Sequence, residues 1–240
     1  MRPTVKTALT LVTAALLAGC TATASSGGAP APSTARSDRG NVEATSPGPA
    51  TAPHCGVERW SVKTGTDPAA GQVDVGHPTP TTVGWLASQP VPATWSQDSP
   101  RIPNSPEMTA YTVTATLVKY KEEADSDYHL VLSWTDPATG TVHTMIAEIP
   151  APPCVGAGSP WLAAITHARK QFDAVFTASQ TSWTPAGVPV TITGVGFFDA
   201  LHGQTGVAPN GIELHPAVDV LVGNPNTPVP SDSATPAAPG

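Results

Sequence analysis

Hydrophobic and polar positions alternate most regularly between Tyr111 and Val222. In Tyr111–Lys121, Val113, Ala115 and Leu117 share one face and Thr112, Thr114 and Thr116 the other, a period of two that predicts a half-buried strand. After the polar turn Glu122–Ser126, Asp127–Trp134 repeats the pattern with Tyr128, Leu130 and Leu132 on one face. Asp136–Gly140 carries hairpin-turn residues, and a third strand over Thr141–Ile149 stops at Pro150, Pro152 and Pro153. The period then changes. Ser159 suits an N-cap and Pro160 a first helical turn, and Leu162, Ile165, Ala168, Phe172, Val175 and Phe176 recur at helical spacing, so Ser159–Phe176 reads as a helix. Val188–Val195 and Ile212–Val222 read as two further strands, the last interrupted by Pro216, which implies an edge position or a bulge.

Three strands, a helix and two strands make a mainly β fold with one helix. The order fits a small five-stranded OB-like barrel (β-β-β-α-β-β) over 111–222, with another small β-barrel or a split β-sandwich as the alternative. Residues 54–110 precede it as an N-terminal arm. Within the arm Arg59–Lys63 reads as a short strand and Thr81–Ser88 as a short helix capped by Thr81 or Thr82, while Pro90–Pro106 has too many prolines for regular structure. Residues 20–53 are Ala, Pro, Ser, Thr and Gly with scattered charge, and residues 223–240 are similar. Such segments bury too little apolar surface to offset their ordering entropy, so they read as a tether and a disordered tail.

The first residues change the picture. Arg2 and Lys6 precede the apolar run Ala8–Ala18, which falls short of the roughly 20 residues that span a bilayer. The run ends in Leu17-Ala18-Gly19-Cys20, which resembles a bacterial lipobox. That resemblance implies a signal peptide over 1–19, lipid on Cys20 and a chain anchored outside the cytoplasmic membrane. Loss of Arg2 and Lys6 with the signal takes the formal charge from −7 to −9, which argues against nucleic acid as a partner. Of the three cysteines, Cys55 and Cys154 then remain as an even pair in an oxidising compartment. A disulfide between them would close a loop of about 100 residues and contribute roughly 4.7 kcal/mol; two free buried thiols are the alternative.

The densest potential chemistry lies in Val188–Val222, with further candidates on the second and third strands. Asp127 and His129 share a strand face, as do Glu213 and His215; Glu148 sits on the third strand, and Asp199 and His202 lie in a Gly-rich loop. Imidazoles and carboxylates on neighbouring strands could hold a divalent metal or position a hydrolytic water. The same spacing is also what the solvent face of any antiparallel strand offers. No HExxH, CxxC, phosphate-cradling or Gly-x-Ser-x-Gly element is present. Trp60, Tyr120, Tyr128 and Trp134 are the aromatic candidates for stacking a sugar, with Tyr128 placed in the core by its face and Trp134 more exposed at a strand end.

The strings Glu58–Thr64, Asp125–Leu132, Met145–Pro150, Gly194–Asp199 and Asn210–Pro216 resemble a family of uncharacterised exported bacterial proteins. The resemblance covers about Cys55–Val222. It implies that arm and β region form one unit and carries no catalytic role. The sequence therefore favours a lipid-anchored, non-catalytic module that binds a small molecule, glycan or protein, with no cofactor assigned. A metal-dependent hydrolase using Asp127, His129, His202, Glu213 and His215 is the alternative.

Overall fold

The computed structural model describes residues 53–223. The expected signal segment, Cys20, the tether up to residue 52 and the tail from residue 224 lie outside the described residues. Six strands form one sheet: β1 (Thr79–Thr81), β2 (Ala110–Glu122), β3 (Tyr128–Thr135), β4 (Val142–Ile149), β5 (Thr184–Phe198) and β6 (Ile212–Val222). Their order is β1-β2-β3-β4-β6-β5, and β2 pairs back onto β5, so β2, β3, β4, β6 and β5 form a closed ring of pairings. The β1–β2 and β4–β6 pairs are parallel and the others antiparallel. The fold is thus mainly β with few helices, as the alternating pattern requires.

The alternation works as expected on one face. Leu117, Leu130, Leu132, Met145, Ile192 and Leu214 come from all five ring strands and are buried in one hydrophobic cluster. Helix α3 (Leu162–Asp173) packs Ala168 and Phe172 onto it. Ser159 stands just ahead of α3, where its Oγ accepts from Trp161 N at 3.1 Å and donates to Thr64 O at 2.7 Å. The helix ends at Asp173, three residues before the periodicity predicts. Val175 leaves the apolar face there and is exposed. The Asp136 turn holds as predicted: its carboxylate accepts from Ala138 N and Thr139 Oγ1 at 2.8 and 2.9 Å.

Pro216 marks a bulge, not an edge. β6 is paired on both sides, and twice between Leu214 and Asp219 it carries one residue more than β5 opposite. Gly194 and Gly196 lie opposite this bulge, where an added Cβ would come within 2.8 Å of Pro216 O and 2.5 Å of Pro106 O respectively.

The arm differs from its sequence reading at two elements: strand β1 is an addition to it, and the other is a change of type. Residues 60–64 form a one-turn helix, α1 (Trp60–Thr64), not a strand. Its residues alternate like a strand, but Gly65 in the left-handed region (φ 70) closes the turn by donating to Ser61 O and Val62 O. A side chain at Gly65 would run into the Trp161 ring. The short helix α2 (Val83–Ala87) forms where expected, and Thr82 caps it by accepting from Trp85 N at 3.0 Å. The Cys55–Cys154 disulfide is present and joins the start of the arm to the turn after β4, where Trp60 Nε1 also donates to Cys154 O at 3.0 Å. A second hydrophobic cluster, including Val73, Trp161, Ile165, Val195 and Val218, forms between arm, helix and the sheet's other face. Both faces of the sheet are therefore covered around β5 and β6. Among the described residues no helix is long and apolar enough to cross a membrane.

Candidate functional site

Strand register builds the site. His129 on β3 lies opposite Glu148 on β4. The β4–β6 pairing aligns Ile146 with Glu213 and Ala147 with Leu214, which brings His215 beside Glu148. Because side chains alternate, Asp127, His129, Glu148, Glu213 and His215 all point away from the first hydrophobic cluster. The sequence offers this face to solvent. The structure does not: Asp127 and His215 are 0 % exposed, Glu213 1 %, His129 3 % and Glu148 5 %. Lys63 of the arm, the Trp183 ring and the backbone at Thr205 lie against parts of this stripe, which is an enclosed layer.

His215 is at its centre. Its Nε2 lies 3.3 Å from Asp127 Oδ2 and its Nδ1 3.1 Å from Glu148 Oε2, yet neither ring nitrogen nor Asp127 Oδ2 makes an aligned hydrogen bond. The outer atoms of this group are better held. Asp127 Oδ1 accepts from Ala151 N at 3.1 Å. Glu148 Oε1 lies 3.0 Å from His129 Nδ1, Glu123 Oε1 lies 3.2 Å from the same nitrogen, and His129 Nε2 meets Thr205 O at 3.0 Å. At the other end Asp199 Oδ2 accepts from Gln204 Nε2 at 3.0 Å and lies 3.6 Å from Nε2 of His202, which reaches the surface. Lys63 of α1 is buried among these groups, drawn by Asp199, Glu148, Glu213 and Glu58, with its ammonium 5.3 Å from the Phe197 ring centre.

Burial and neighbours set the charges. Burial opposes the charged form of His129, but the Glu123 and Glu148 carboxylates outweigh it and raise its pKa to about 10. His215 rises to about 9 in the same way, through Asp127 and Glu148. The two imidazoles in turn hold Glu148 well below the usual carboxylate range despite its burial. Burial raises three other acids: Asp125 to about 8, helped by Asp127 and Glu148; Glu58 to about 7, helped by Asp199; and Glu213 well above its ordinary value.

The seven predicted site residues thus join one layer, but not as one ligand set. Asp127, Glu148 and His215 each offer an atom within 4.8 Å of the others. His129 stands behind Glu148, and His202 pairs outward with Asp199. Sequence reasoning missed Lys63, Glu58, Glu123 and Asp125. The signal for Lys63 was its spacing of four from Arg59, which puts both on one face of a helical turn, over Phe197. The aromatic candidates make no open platform. Tyr120 is buried edge-on to Phe172, and Tyr128 is half-buried beneath the Arg169 guanidinium and donates to Asp173 Oδ1. Trp134 is half-buried beside Gly84 and His143, against the exposed ring expected of it.

No family model matches the chain, and no curated protein matches its sequence. Among solved structures, a protein assigned as an aspartyl-tRNA synthetase from Leishmania major Friedlin aligns at a TM-score of 0.33 and 12 % identity over 61 % of this chain and 21 % of its own. The small single-stranded DNA-binding protein from Streptomyces coelicolor aligns at 0.25 and 10 % over 47 % of this chain and 90 % of its own. The chain thus spans about a fifth of the synthetase's length, and at these scores neither likeness carries an argument about function.

Proposed function

We propose that the protein is a lipid-anchored, extracytoplasmic binding module that performs no catalysis. Its β region is taken as an OB-like barrel that presents the loop between β5 and β6 to a protein or glycan partner. The observation that carries this reading is the closure of the polar layer. A hydrolytic metal needs an open coordination position and a path for substrate, and Asp127, Glu213 and His215 have almost no exposed surface. The ring of strand pairings and the strand–helix order support the barrel. The lipobox-like start and the Cys55–Cys154 disulfide support an exported chain. Leu201, His202 and Pro209 are side chains that the β5–β6 loop turns outward, Leu201 being 61 % exposed.

The test places a photo-reactive residue at Leu201 in the full chain on cells, with Val142 as an exposed control elsewhere. A discrete adduct formed from 201 and not from 142 is the expected result. Turnover of a phosphoester or glycan by the purified protein, abolished by His202→Ala, would replace this reading with the hydrolase.

A further inference from the structure

The geometry points to a closed, structural site for one first-row divalent transition-metal ion, held by Asp127, Glu148 and His215. Three observations converge on it. Each residue supplies one ligand atom, and all lie within 4.8 Å of one another. Metal–ligand bonds of about 2.1 Å put neighbouring ligands about 3.0–3.4 Å apart; one ion takes one imidazole nitrogen, and His215 Nε2 stands 3.3 Å from Asp127 Oδ2, with Glu148 inside the same 4.8 Å span. The contacts of His215 with the two carboxylates are as close as hydrogen bonds yet are not aligned as such. Asp127 Oδ2 and both His215 nitrogens remain buried with no hydrogen-bond partner. Unpaired polar atoms this deep are costly, whereas a cation would take Asp127 Oδ2 and one His215 nitrogen and leave the other nitrogen as an N–H facing a carboxylate.

The surroundings are those of a ligand set and not of a loose acidic patch. Asp127 is oriented through its other oxygen by Ala151 N–H, and Glu148 by His129, which is itself fixed by Glu123 and Thr205. Outer partners of this kind fix ligand direction. Lys63 brings one positive charge to a neighbourhood that it shares among Asp199, Glu148, Glu213 and Glu58. One nitrogen and two carboxylates favour zinc or manganese over calcium, which takes six to eight oxygens. The ligands come from the lead into β3, from β4 and from β6, so the ion ties together three adjacent strands beneath the arm. This goes beyond the binding-module reading and survives if that reading fails.

The test is metal content of the full chain, purified without histidine tags or chelators and dialysed with Zn²⁺, Mn²⁺ or Ca²⁺. Retention of about one Zn²⁺ or Mn²⁺ per chain is expected, with affinity at least about tenfold weaker in His215→Gln and Glu148→Gln and unchanged in His202→Ala. Because the two buried variants risk misfolding, the unaltered chain is also examined by NMR with Mn²⁺. Broadening of the His215 ring signals, with those of exposed His77 and His167 spared, is the expected result. No retained ion, an ion unaffected by folded His215→Gln, or broadening confined to the exposed histidines would each overturn the site.

Discussion

Arg59 grips Glu107 at two points, Nη1 to Oε1 at 2.8 Å and Nη2 to Oε2 at 2.7 Å, with neither side chain exposed. The pair fastens the arm to the end of β5. Arg59 also donates to Ser99 O, Pro100 O and Phe198 O, while Glu107 accepts from Ile102 N and Phe198 N. These bonds keep Arg59 at φ 45, a left-handed conformation rare for a side chain of its size. Removing one partner leaves the other charged and buried, so Arg59→Ala or Glu107→Ala costs about 3–5 kcal/mol. The double variant does not recover the loss, because five backbone groups then lose their partners. Chemical-denaturation midpoints of the three variants decide this; single-variant losses below about 0.5 kcal/mol, the range of surface substitutions, would contradict it.

Without a bound metal ion, the charged layer gives stability a definite pH dependence. The His129 and His215 pKa values rise to about 10 and about 9 in the folded chain, so their contribution is complete below the unfolded value of 6.5 and is lost as pH climbs through 9 and 10. Glu58 and Asp125, raised to about 7 and about 8 chiefly by burial, lose their contribution earlier, as pH rises through those values. Glu148 has the opposite sign: depressed in the folded chain, it stabilises above the ordinary carboxylate range and less as pH falls below it. Melting temperature should therefore be highest on the acidic side of neutrality and fall steadily towards pH 10. A profile that is flat or rising from pH 6 to 10 would show that the layer does not hold these charges.

The Cys55–Cys154 bond closes a loop with a sequence separation of 99 residues. Replacing both cysteines by serine should cost roughly 4.7 kcal/mol in the chain-entropy model. The loss should fall first on the arm, since Trp60 reaches the same turn through Cys154 O. Limited proteolysis would then cut between residues 55 and 65 before the β region. Simultaneous loss of arm and sheet would mean that the two unfold as one unit.

Period-two patterning made the ring strands legible because each buries one face in the same hydrophobic cluster. β6 falls at Ile212–Val222 in both readings, and Pro216 signalled its bulge. The second covering was not legible. Asp127, His129, Glu213 and His215 look like solvent-facing residues because polarity alone does not tell water from a buried ionic layer. Part of what encloses them is α1, a five-residue turn whose alternating Trp60, Val62 and Thr64 imitate a strand. Strand β1 was hidden for a related reason: three residues, Thr-Pro-Thr, show no periodicity, and only pairing with Tyr111–Val113 defines them. The candidate residues were therefore found, but their enclosure was not.

Histidine C2-proton exchange, followed residue by residue by mass spectrometry in the intact protein, measures that enclosure directly. Exchange at His215 and His129 should be far slower than at surface-exposed His77 and His202, because the first two are 0 % and 3 % exposed and paired with carboxylates. Exchange of His215 at the rate of His77 would mean that the layer is open to solvent, and the case against catalysis there would fall with it.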